Sequence, residues 1–189
     1  MEKYIYISDN MVQKKFWLNL LDQWLENNII YIEDSKYNDT IFWHNEVANA
    51  SCFLSSLWQI GGRGLLECAV TRKNGSQDSG RADLFIYYQD EIEYYIECKF
   101  TRICNDYLPQ LEKAKDQCDS IKDAPDVPRM GIVFISPCIN NNLTIEKIRK
   151  SLEGKNEAYI ITQLTLDKEL TYEGKQYKHL FMVAITQVS

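Results

Sequence analysis

The chain has 189 residues, 45% of them hydrophobic and 25% charged, which allows one domain with a sizeable core and excludes a disordered or fibrous chain. Its 21 Lys and Arg against 27 Asp and Glu give a formal charge of −6, so a nonspecific coat on nucleic acid or anionic membrane is excluded and any polyanion must be bound locally. No apolar run approaches the roughly 18 residues of a membrane span, and MEKYIYISDN lacks the basic and apolar regions of a signal peptide, so the expectation is a cytoplasmic protein with no membrane partner. The cysteines include no CxxC pair, which fits neither a disulfide scaffold nor a zinc ribbon. Cys52, Cys68, Cys98 and Cys138 sit among apolar neighbours and read as small buried hydrophobes.

In chain order, Met11 to Asn28 place Phe16, Leu20, Leu21 and Leu25 on one helical stripe, predicting an amphipathic helix. The polar stretch EDSKYNDT separates it from a second helical segment, IFWHNEVANASCFLSSLWQI, stopped by Gly61-Gly62. From Gly64 the period shortens. LLECAVTRK, RADLFIYYQ and EIEYYIECKF are β-branched and aromatic runs separated by NGSQDSG and by a turn near Asp90, which predicts a three-stranded meander. A helix follows in YLPQLEKAKDQCDSIK, then the loop DAPDVP and the apolar strand GIVFIS. TIEKIRKSL reads as a short basic helix, and AYIITQLTL and HLFMVAITQ as further strands. The expectation is one α/β domain over 1–189, with a helical extension at 1–40, a core at 41–138, and a helix with strands at 139–189.

E-x-K occurs at Glu97-Lys99, Glu153-Lys155 and Glu173-Lys175. The last two have glycine in the middle and read as turns; only Glu97-Cys98-Lys99 lies within a strand run. Strand alternation puts Glu97 and Lys99 on one face. With a three-residue loop after the preceding strand, Asp83 falls opposite Glu97 or Lys99 on that face; a two-residue loop would put it on the other. Two carboxylates across a ladder, with the Cys98 carbonyl, offer hard oxygen ligands suited to Mg²⁺ or Mn²⁺. Such a cation acidifies water and neutralises phosphoryl charge, and Lys99 could orient the attacking water or stabilise the developing charge. The alternative is a solvated cross-strand salt bridge of little energetic weight.

The stretch GRADLFIYYQDEIEYYIECKF resembles the core of the PD-(D/E)xK nuclease superfamily, and the order of elements from Phe42 to Ser136 is similar to its αβββαβ core. That resemblance implies a restriction-endonuclease-like fold, a mixed sheet flanked by helices, with an added N-terminal helix and C-terminal strands. It further implies metal binding by Asp83 and Glu97 and assistance by Lys99, although Ala82 stands where the family name has proline. Glu46, the sole acid between Ile41 and Gly62, sits where many members carry a further glutamate; a carboxylate favouring a helix N-terminus is the competing account. Glu67 is the reserve choice for a third acid.

The cations nearest in sequence, Arg81, Arg102, Arg72 and Lys73 together with Arg63, are candidates to meet phosphates, and Gln110 opens the following helix. Acids outnumber bases between Ile41 and Gln110, so binding is expected to be local, metal-linked and salt-sensitive. The expected function is a Mg²⁺- or Mn²⁺-dependent nuclease acting on DNA, in bacterial defence or DNA repair and able to pair as a homodimer. Its rival is a catalytically silent module of the same fold that binds a protein or a nucleic-acid end.

Overall fold

The computed structural model describes residues 1–73, 79–89, 91–136, 142–155 and 157–187. Residues 74–78 of the NGSQDSG segment, Asp90 and Cys138 lie outside the described residues. Seven strands, β1 (Glu2–Ile7), β2 (Arg63–Thr71), β3 (Ser79–Tyr88), β4 (Ile92–Thr101), β5 (Arg129–Ile135), β6 (Glu157–Tyr172) and β7 (Lys175–Gln187), form one sheet in the order β1-β6-β7-β5-β4-β3-β2. All neighbours are antiparallel except β4 and β5. Four helices cover it: α1 (Lys14–Asp34), α2 (Glu46–Gln59), α3 (Tyr107–Asp119) and α4 (Ile145–Leu152). From α2 onward the expected sequence of helix, three strands, helix and strand is present, as α2-β2-β3-β4-α3-β5.

Strand alternation divides the core in two. Leu84, Ile86, Tyr94, Ile96, Ile132 and Phe134 pack with α1 and α2, while Val133, Ile135, Ile161 and Val183 pack with Leu111 of α3 and Ile148 and Leu152 of α4. β5 meets helices on both faces, which is why RMGIVFI is apolar almost throughout. Its Gly131 marks the closest approach, where a Cβ would lie 2.7 Å from the Lys115 backbone nitrogen of α3.

Several elements depart from the sequence reading. β1 was not expected; EKYIYI pairs with β6 from Glu2↔Thr165 to Ile7↔Ile160. Helix α1 runs past Asn28 to Asp34 because Ile32 is buried as well. As its amphipathic stripe implied, it packs on the main body: Trp17, Leu20, Leu21, Trp24 and Leu25 are at most 1% exposed, and Trp24 lies against Phe42 and Phe134 at 5.3 and 5.8 Å between ring centroids. The single helix expected over 41–60 is broken into a short 3₁₀ turn, Ile41–Trp43, and α2. Asn45 makes the break. Its backbone is extended and its side chain accepts the Ala48 N–H at 3.0 Å, an N-cap that starts the helix at Glu46. The two glycine-centred E-x-K triplets are turns, with Gly154 at φ +81° and Glu173-Gly174 at +50° and +73° in the β6–β7 hairpin.

Candidate metal centre

Pairing of Tyr88 with Ile92 leaves a three-residue loop between β3 and β4, the odd length on which the expected facing of Asp83 and Glu97 depends. The β3–β4 ladder ends at Leu84↔Ile96, one step before Asp83 would face Glu97. There the carboxylate replaces a ladder partner: Asp83 Oδ2 accepts the Cys98 N–H at 2.7 Å. On the other side of β3, pairing with β2 skips the step between Leu66↔Leu84 and Cys68↔Ala82. Glu67, the residue opposite Asp83, takes φ +53°, a conformation uncommon for a non-glycine residue, and the register is unchanged across the skipped step.

Glu46, Asp83 and Lys99 meet at this irregularity. Lys99 Nζ donates to the Cys98 carbonyl at 2.6 Å and lies 3.8 Å from Glu46 Oε2 and 3.9 Å from Asp83 Oδ2. Glu46 stands in the first turn of α2, where a carboxylate favours the helix N-terminus, and its Oε2 faces the Lys99 ammonium. A small cleft beside these groups, with room for about one water molecule, is lined by Glu46, Val47, Ala50, Leu66, Glu67, Asp83 and Cys98. Cys98 is fully buried, and burial, then the charges of Asp83 and Glu97, push its thiol up, so the side chain is packing and only its carbonyl faces the chemistry.

Glu97 is the one carboxylate among the described residues that is almost wholly buried, at 3% exposed. Its Oε1 accepts from Arg72 Nη2 at 2.5 Å. Burial nevertheless dominates and raises its pKa from 4.5 to about 7, the nearby Asp83 charge adding to the rise and Arg72 and Lys99 opposing it. A buried acid held near neutrality beside a second acid is a feature that clusters at functional sites.

The expected phosphate-binding residues separate into two groups. Arg72 and Arg102 point inward: Arg102 bonds the Trp43 carbonyl and lies over the Tyr172 ring at 4.8 Å, and Arg72 is bound to Glu97, to the carbonyls of Arg81 and Gln117, and to Ser120. Arg81 is exposed and pairs with Glu67 at 3.5 Å. Lys73 is exposed, its backbone fastened to the Ser120 carbonyl, and Gln110 is half-buried in the first turn of α3. Nothing in the run LLECAVTRK distinguishes Arg72 from its neighbour Lys73, because the partners that hold it come from β3, β4 and α3.

Two carboxylates and a backbone carbonyl already gather around one positive charge, the Lys99 ammonium. That donor set fits Mg²⁺, which is commonly held by one or two carboxylates and completed by water and phosphate oxygens. It does not fit a closed protein cage: among the described residues, no group of three or more His, Cys, Asp or Glu side chains is arranged to hold a metal ion. Cys52, Cys68, Cys98 and Cys118 are free thiols. Among the described residues, no helix is long and apolar enough to cross a membrane. No family model, no curated protein and no solved structure matches the chain.

Proposed function

We propose that the chain is a divalent-metal-dependent nuclease of the PD-(D/E)xK type, hydrolysing phosphodiester bonds in DNA. The observation that carries this reading is the convergence of Glu46 Oε2, Asp83 Oδ2 and the Cys98 carbonyl on the Lys99 ammonium, with buried Glu97 on the same strand. Asp83, Glu97, the Cys98 carbonyl and Glu46 would hold Mg²⁺ or Mn²⁺. The cation, when bound, supplies charge neutralisation at the phosphoryl group and a more acidic water. Lys99, already tied to the Cys98 carbonyl, orients the attacking water and stabilises the charge that develops on the phosphoryl oxygens. Glu46 and Asp83, at 3.8 and 3.9 Å, hold its ammonium in place. Exposed Arg81 and Lys73 would meet the sugar-phosphate backbone.

A second reading, a silent module of this fold acting as a binding subunit, is favoured by one observation: Glu97 is already paired with Arg72. Cleavage of plasmid and oligonucleotide DNA with Mg²⁺ or Mn²⁺ separates the two. Activity in the wild-type protein that is lost in Asp83→Ala and Lys99→Ala supports the nuclease. Equal cleavage by all three proteins, or none by any, refutes it.

A further inference from the structure

We propose that Arg72 is a positioning residue that fixes Glu97 for metal binding, and not a phosphate contact; this rests on the nuclease reading above. An arginine has five N–H donors in a rigid fork. Here Nη1 donates to the Gln117 carbonyl at 2.6 Å and to Ser120 Oγ at 3.1 Å, and Nη2 donates to Glu97 Oε1 at 2.5 Å and to the Arg81 carbonyl. All four Nη hydrogens are thus committed inside the protein. The remaining donor, Nε, lies over Gly80, where a Cβ would sit 2.6 Å from it and 2.9 Å from Arg72 Cδ. A phosphate could take only Nε without dismantling the fork.

The four acceptors belong to three different elements. Arg81 is on β3, Glu97 on β4, and Gln117 and Ser120 are at the end of α3 and just past it. Three acceptors hold the guanidinium, and the guanidinium in turn holds one Glu97 carboxylate oxygen. The terminal torsion of a glutamate is broad by itself; with Oε1 pinned, the second oxygen has a defined direction to offer a cation. Gly80 is part of the device, because any side chain there displaces the Arg72 stem. Lysine cannot replace the fork, since a single ammonium cannot reach acceptors on three elements at once.

The test is Mn²⁺ binding measured by calorimetry, without DNA, on wild type, Arg72→Lys, Gly80→Ala and Asp83→Ala, each well below its own unfolding temperature. Gly80→Ala keeps the Arg72 charge and so remains informative if Arg72→Lys folds poorly. Cleavage kinetics over a salt series accompany it. Loss of a hydrogen-bond partner behind a metal-ligating group typically weakens binding by about 10- to 100-fold. That loss is expected in Arg72→Lys and Gly80→Ala, with kcat reduced and the KM for DNA and its salt dependence unchanged. Wild-type Mn²⁺ affinity in both variants would overturn the proposal while leaving the nuclease reading intact, provided Asp83→Ala loses the metal. Unchanged affinity with a raised KM and a salt slope lowered by about 1 would return Arg72 to the phosphate-contact role. A wild-type protein that binds no Mn²⁺ would remove both.

Discussion

Replacing Glu97 by glutamine isolates the energetic cost of the most buried carboxylate. Glu97 is 3% exposed and its pKa stands at about 7 against 4.5 for the free group. The folded protein therefore binds more protons than the unfolded chain between those values, and stability falls as pH rises through the window. The stabilising effect of the raised pKa is complete below pH 4.5 and gone above about 7. At 1.36 kcal/mol per pH unit, the difference amounts to about 3 kcal/mol. Glutamine retains an oxygen to accept from Arg72 and does not titrate. Urea unfolding of both proteins in EDTA at intervals from pH 4.5 to 8 should give stability curves that diverge by about 3 kcal/mol, with the wild type losing ground as pH rises. Titrating groups distant from Glu97 cancel in the difference. Parallel curves would refute the reasoning, because they would mean that Arg72 and Lys99 fully offset the burial. Mg²⁺ favours the ionised carboxylate, so adding it should stabilise the wild type more at pH 8 than at pH 5 and leave Glu97→Gln less affected.

Two further substitutions probe the frame around the site. Gly131→Ala would put a Cβ 2.7 Å from the Lys115 nitrogen and 3.2 Å from the Ala114 carbonyl carbon, both backbone atoms of α3, and overpacking of this kind costs about 1–3 kcal/mol; an unchanged urea midpoint would show that α3 does not press on β5 as described. Asn45→Ala removes the side chain that accepts from Ala48, with an expected loss of about 1 kcal/mol and most of it recovered by Asn45→Ser. Calorimetry should also find Mn²⁺ bound more weakly by Asn45→Ala, since Glu46 is the first residue that cap sets in helix; equal affinity would detach Glu46 from the metal.

The three-residue loop between β3 and β4 was readable because it depends only on local sequence, whereas the turn of Asp83 to the Cys98 N–H and Lys99, past the end of the ladder at Leu84↔Ile96, was not. Gln89, the first residue of that loop, takes φ +52°. Glu46 was readable as an isolated acid, but its exact station was not, since the apolar residues of 41–60 fit one helical run and the break comes from the Asn45 cap. β1 escaped notice because six residues form a strand only through β6, some 160 positions away by the Glu2↔Thr165 pairing. The inward turn of Arg72 and Arg102 was equally hidden: an arginine near a proposed phosphate site looks the same in sequence whether it faces solvent or collects carbonyls from distant elements. Glu67 shows the reverse case, a reserve candidate whose strand position was right and whose positive φ no propensity would anticipate.

The central claim is that Asp83 and Glu97 bind one divalent cation. Crystals soaked in Mn²⁺ and measured for anomalous scattering test it directly. The account predicts a single strong peak within about 2.0–2.3 Å of oxygens from both Asp83 and Glu97, absent from Asp83→Ala crystals. A fully soaked crystal with no peak there, or with Mn²⁺ bound only elsewhere, would contradict it.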